Sequence, residues 1–135
     1  MDFEDTLKIS SSGMAAQSIR LRTIAENLAN ADSTATSPSG DPYRRKIVTF
    51  KNVLDKSSGL ETVQVGRVAS DASPFELRYM PGHPAADANG YVKMPNVNTM
   101  VEMADMREAQ RSYEANVDVI DIAKNMLSNA MNILR

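Results

Sequence analysis

The chain has 135 residues, a formal net charge of −2, 42% hydrophobic and 24% charged residues, and no cysteine or tryptophan. That length suits one domain, the near-neutral charge gives no electrostatic reason for a nucleic-acid or acidic-membrane partner, and the missing thiols exclude disulfides and thiolate metal sites. Aromatics reach only 5% while methionine reaches nine, so the apolar material is small and flexible and suits helix seams better than one dense core.

The opening Met1-Asp2-Phe3-Glu4-Asp5 is acidic and lacks the apolar core of a secretory signal, and no 18-residue apolar run offers a membrane span. From Phe3 to Ala31, Leu7, Met14, Leu21 and Leu28 recur every seven residues, with Phe3, Ile24 and Ala25 in adjoining seam positions. That spacing predicts a helix with one apolar stripe. Ser10-Ser11-Ser12-Gly13 interrupts it, and means either a kink or late start, or a close approach by a neighbouring helix. Residues 31–42 are rich in Ser, Pro and Gly and end the helix.

Between Tyr43 and Met80 the pattern shifts to short β-prone pieces at residues 46–50, 61–68 and 75–79, separated by turn residues. Their alternation predicts a small antiparallel sheet. Residues 80–98 are punctuated by proline and glycine and read as an ordered connector anchored by Tyr91, Val92, Met94 and Val97. Within it, Asn89-Gly90 signals a type I′ turn. Asn98 or Asn96 can then cap a second helix.

That second helix, Asn98 to Arg135, contains no glycine or proline and would run roughly 55 Å. Met106, Tyr113, Ile120, Leu127 and Leu134 repeat every seven residues, with Ala109, Asn116, Ala123 and Ala130 three positions after the first four, which is an a/d seam. A second line, Val119, Ile122, Met126 and Ile133, runs down another side. One partner helix cannot cover both. The expected class is α+β: residues 1–31 with 98–135 as a coiled-coil-like helical hairpin, and 32–97 as a central loop and small, mainly antiparallel β region. The two striped ends are expected to be largely unfolded or mobile in the lone chain and to become ordered when many copies or relatives stack.

No catalytic constellation stands out. His83 is the lone histidine and sits in a Gly-His-Pro turn; it cannot build a multi-histidine metal site or a triad. Asp87-Ala88-Asn89-Gly90 lacks the remaining ligands of a calcium loop. Arg44-Arg45-Lys46 is too short for a nucleic-acid footprint and reads as a solvated or rim patch. Glu102, Asp105, Glu108 and Glu114 read as surface ion pairs with Arg107 and Arg111, such as Glu108 with Arg111. The chain is not expected to be an enzyme, and no cofactor, metal or small-molecule substrate is implied.

Ala25-Glu26-Asn27-Leu28-Ala29-Asn30-Ala31-Asp32, the later Pro42-Tyr43-Arg44-Arg45 and Ser112-Tyr113-Glu114-Ala115-Asn116 resemble the paired terminal signatures of bacterial flagellar axial proteins. The segment from Pro81-Gly82-His83-Pro84 through Tyr91-Val92-Lys93-Met94-Pro95-Asn96-Val97, together with the longer loop Ser33 to Asp41, is similar to the proximal-rod type. The resemblance spans the whole chain. It implies a structural rod subunit exported unfolded by the flagellar type III apparatus without a cleavable signal. Such a subunit crosses the periplasm in the basal body, and its terminal helices surround the export channel.

Its implied partners are copies of itself, other rod proteins and the membrane ring or export apparatus, without membrane insertion. The expected subunit contacts are Leu7, Met14, Leu21, Leu28, Met106, Tyr113, Ile120, Leu127 and Leu134 on the seams, with Asn27, Asn30 and Asn116 fixing register. A soluble helical adaptor or secretion chaperone is the alternative that amphipathic ends without catalytic residues would also allow.

Overall fold

The structure, a computed structural model, describes residues 3–56 and 58–133. Two long helices bracket four strands, in the order α1 (Phe3–Ala29), β1 (Lys46–Asp55), β2 (Leu60–Ser70), β3 (Glu76–Tyr79), β4 (Tyr91–Met94) and α2 (Thr99–Ile133). The α+β class expected from the sequence is the one found. Two compact units make up the chain: Met1–Leu21, Val48–Arg67 and Arg107–Arg135 form one, Arg22–Ile47 and Val68–Met106 the other. Neither is continuous in sequence.

In the first unit, α1 passes through the serine-glycine stretch without a break. Ser11 and Ser12 turn their hydroxyls back onto the carbonyls of Lys8 and Ile9, at 3.1 and 2.7 Å, which satisfies them inside the helix. Gly13 is there for space: a Cβ on it would stand 3.1 Å from the amide of Asn116 on α2. Of the two readings of this stretch, close approach is therefore the one realised. β1 and β2 pair as a hairpin, closed by Gly59 at φ +69° with its N–H on the Asp55 carbonyl at 2.7 Å. Four connecting residues allow only the antiparallel arrangement.

In the second unit the core is small: Val92, Met94 and Ala85, with Ala35, Met80 and Ala86 packed around them. β3 and β4 pair antiparallel, Leu77 opposite Lys93 and Tyr79 opposite Tyr91. The strands thus form two separate two-stranded sheets, and part of the expected connector is a strand that buries Val92 and Met94 while Tyr91 and Lys93 face out.

The Asn89-Gly90 expectation needs correcting. Only Gly90 has positive φ, at +82°, whereas a type I′ turn needs it at both central residues. The turn is Asp87 to Gly90, closed by Gly90 N–H on the Asp87 carbonyl at 3.0 Å, and Asp87 Oδ1 accepts the N–H of Asn89 at 2.8 Å and of Tyr91 at 2.9 Å. An Asx side chain thus supplies what the dipeptide was expected to supply. α2 starts where Asn98 Oδ1 accepts the N–H groups of Met100 and Val101, at 3.0 and 3.3 Å, the geometry of an N-cap. Asn96, the other capping candidate, is engaged elsewhere.

Candidate functional site

Within the first unit, α1 and α2 run antiparallel. Gly13 lies against Asn116, Gln17 Nε2 donates to Ser112 Oγ at 3.3 Å, and Arg20 pairs with Glu108 at 3.3 Å, so steps of four and three up one helix match two steps of four down the other. Glu108 therefore pairs across the hairpin and not with Arg111. The buried positions along this contact are small: Ser10 and Ala16 on α1, Ala109 and Ala123 on α2. Short side chains let the helices approach closely, and they leave the larger seam residues only half covered.

Leu7, Met14 and Leu21 on α1, and Tyr113, Asn116 and Ile120 on α2, are half-buried, while Leu127 is 43% exposed. Leu134 lies outside the described residues. The second line is barer still: Val119, Ile122, Met126 and Ile133 are all exposed, Ile122 at 59% and Ile133 at 85%. Near the start of α1, Phe3 and Thr6 join Val119, Ile122, Ala123, Met126 and Leu127 around a shallow groove of about 380 Å³. Large apolar side chains left in water along one helix face mark an interaction surface.

The second unit holds a buried polar interlock. Asn27 on α1 is 1% exposed and uses its whole amide: Nδ2 donates to the Lys46 carbonyl at 2.9 Å and to Glu102 Oε2 at 3.0 Å, and Oδ1 accepts from Tyr43 Oη and Lys46 N–H, both at 2.9 Å. Glu102 on α2, also 1% exposed, accepts at its other oxygen from Arg45 Nε at 2.6 Å. Arg45 reaches Asp71 at 3.4 Å and Asp105 at 3.6 Å as well. Lys46 pairs with Glu26. The guanidinium of Arg44 stacks 4.2 Å from the Phe75 ring centroid and donates to the carbonyls of Asp71 and Ser73. Asn96 accepts the Arg45 N–H at 2.8 Å and donates to Asp71 and Ser73.

The Arg44-Arg45-Lys46 triplet is thus a structural clasp, and Glu102 is its buried anion; neither is the surface feature the sequence suggested. A signal for Glu102 existed, since it stands seven residues before Ala109 in the same line as Asn116 and Ala123. Leu28, Asn30 and Met106 are half-buried beside this cluster, and Asn30 Nδ2 bonds the Glu26 carbonyl at 2.9 Å as α1 ends.

Electrostatics follow the geometry. Burial, and then the Glu26 charge, push the Tyr43 hydroxyl above its ordinary value, which keeps it a donor to Asn27. Desolvation works against the Arg45 charge, yet the Glu102 hydrogen bond and charge outweigh it and raise the pKa. Hydrogen bonds from Ser73, with a further one from Arg45, hold the Asp71 carboxyl below its usual range.

His83 is tied into the turn it was expected to occupy, accepting the Ala85 N–H at Nδ1 and meeting Thr34 Oγ1 at Nε2. Among the described residues no group of three His, Cys, Asp or Glu could hold a metal ion, and no helix is long and apolar enough to cross a membrane.

Comparison with known proteins gives the family. Residues 7–35 match the family described as Flagella basal body rod protein, and residues 88–133 match Flagellar basal body rod FlgEFG protein C-terminal. The flagellar basal-body rod protein FlgC of Agrobacterium fabrum is 52% identical, over 95% of this chain and 92% of its own length. Those of Salmonella typhimurium and Escherichia coli are 47% and 45% identical, each over 93% of this chain and 92% of theirs. Similarity of this depth over almost the full length of both partners means that the chain belongs to the FlgC family of flagellar basal-body rod proteins.

Proposed function

We propose that this rod protein is a subunit of the proximal rod, polymerising through its terminal helices into the shaft that carries torque from motor to hook and encloses the export channel. The observation that carries the reading is the uncovered Val119–Ile122–Met126–Ile133 line on a helix whose other side is already packed within the chain. A second copy or another rod protein supplies the missing cover, ridges into grooves. The half-buried Leu7, Met14, Leu21, Leu28, Met106, Tyr113 and Ile120, with Leu127 and Leu134, extend that contact between subunits.

Asn30 and Asn116 fix register beside the seam, while Asn27 fixes it through the chain's own interlock. A shaft needs stiffness and no chemistry, and a subunit without a catalytic role fits that need. The chain leaves the cytoplasm through the export apparatus, assembles across the periplasm, and meets other rod proteins and the membrane ring. The test is Ile122→Asp. At a site 59% exposed in the chain it should alter the subunit's own stability by no more than about 0.5 kcal/mol, yet abolish its recovery in isolated basal bodies. Normal rods built from that variant would refute the reading.

A further inference from the structure

β3 has an open edge. Met80 donates its N–H to the Gly90 carbonyl at 2.8 Å, and backbone groups alternate sides along a strand, so Glu76 and Arg78 also face β4 while Leu77 and Tyr79 turn their N–H and C=O groups away from it. On β4 the position opposite Tyr79 is closed, since Tyr91 donates its N–H to Asp87 Oδ1 and accepts the Asp87 N–H at its carbonyl, both at 2.9 Å. Leu77 and Tyr79 have no such cover among the described residues, and their side chains are 59% and 63% exposed. Unpaired strand groups beside bare apolar side chains are a template for an added strand.

The chain carries a strand that fits. Along β1 the odd-numbered positions face β2: just beyond the two ends of the hairpin ladder the carbonyls of Arg45 and Asp55 accept the N–H groups of Asp71 and Gly59, and between them the Val53 carbonyl accepts from Thr62 Oγ1. Even-numbered positions look outward, as Lys46 does toward Asn27, so Val48 and Phe50 present their N–H and C=O groups on the free side. Laid antiparallel with Phe50 opposite Leu77, β1 sets Val48 opposite Tyr79 on one face and Lys51 opposite Glu76 on the other. Apolar meets apolar and the charges are opposite.

Other strands fit less well. The Val63 N–H of β2 is taken by Ser12 Oγ at 3.3 Å. β3 against its own copy closes a two-fold pair, whereas a growing shaft needs a head-to-tail contact.

We propose that β1 of one copy adds to the β3 edge of the next, a strand contact between subunits separate from the helix seam. It rests on the rod reading above. The chain has no cysteine, so differently tagged Lys51→Cys and Glu76→Cys chains, produced together in one cell, contribute one thiol each. Facing strand positions of this kind have Cα atoms about 4.5 Å apart, within disulfide reach.

In oxidised basal bodies isolated from those cells, the 51–76 dimer should exceed the 51–51 and 76–76 products by about tenfold. Leu77→Pro, which removes an outward N–H and spares the β3–β4 ladder, should lower the chain's incorporation about tenfold while amide protection at Arg78 and Val92 persists. Rods that contain both tagged chains but give no 51–76 product, or mainly 76–76, would overturn this contact and leave the rod reading standing. So would unchanged incorporation of Leu77→Pro. Absence of even the unsubstituted tagged chain from basal bodies would overturn both.

Discussion

Replacing Asn27 by alanine should cost the second unit far more than the size of the side chain suggests. The amide serves four groups, and its loss strands the Lys46 N–H and carbonyl, the Tyr43 hydroxyl and one oxygen of Glu102. Tyr43 and Lys46 are only half-buried, so water recovers part of what they lose. Glu102, at 1% exposure, has no such recourse. Taking two groups as fully cut off, at about 1–3 kcal/mol each, gives roughly 3–4 kcal/mol, a large fraction of a small domain's stability.

The assay is hydrogen–deuterium exchange at Lys46 and along the first turns of α2, where that loss appears as about 100- to 1,000-fold faster exchange. Asn27→Asp sharpens the test. It keeps the shape but sets an acceptor against Glu102 Oε2 at 3.0 Å and against the Lys46 carbonyl at 2.9 Å, so it should be at least as damaging as alanine. Acceleration below about fivefold for alanine, or an aspartate variant nearly as protected as the parent, would refute the hydrogen-bond assignment.

Arg45→Met should cost about 3–5 kcal/mol, because it leaves Glu102 buried and uncompensated; Arg45→Lys should recover only part, since an ammonium cannot reach Glu102, Asp71 and Asp105 as a fork does, and urea titration of the two variants measures the difference. Asp71 is held below its ordinary pKa of 3.8 by Ser73 and Arg45, so the folded chain binds its proton less readily than the unfolded one. Its contribution is full above about pH 4 and fades as pH falls through the lowered value. Asp71→Asn should flatten that acid limb in a pH series of thermal melts. Gly13→Leu drives a side chain into Asn116 and should destabilise the first unit by about 1–3 kcal/mol, read as faster amide exchange between Ser112 and Ala123.

Both helices were legible because seven-residue spacing is a local property that any partner leaves intact. So were the bare second line on α2 and the Asn98 cap. What the sequence concealed depends on distant pairing. Glu102 looked like one charge among several on a helix face, and only Arg45, 57 positions away, makes it a buried anion. Tyr91 to Met94 is too short to declare itself a strand until β3 lies beside it. Asn89-Gly90 carried the right signal one residue out of place, because Asp87 supplies the hydrogen bonds that set the turn. The interlock was read piecemeal, since its members come from α1, the 43–46 segment, the 71–73 and 96 loops, and α2.

Both compact units draw on the first and the last thirds of the polypeptide, and this sets the order in which they can form. A chain threading through a narrow conduit with its amino end leading carries neither unit whole, because α2, with Glu102 and Ala109, is still behind. The α1–α2 contact and the Asn27–Glu102 bond wait for the tail, and a chain cut after Val97 is expected to lose exchange protection along α1 while the Ala85–Val92–Met94 cluster, all upstream, persists. Late closure of the helix pair is thus written into the connectivity itself.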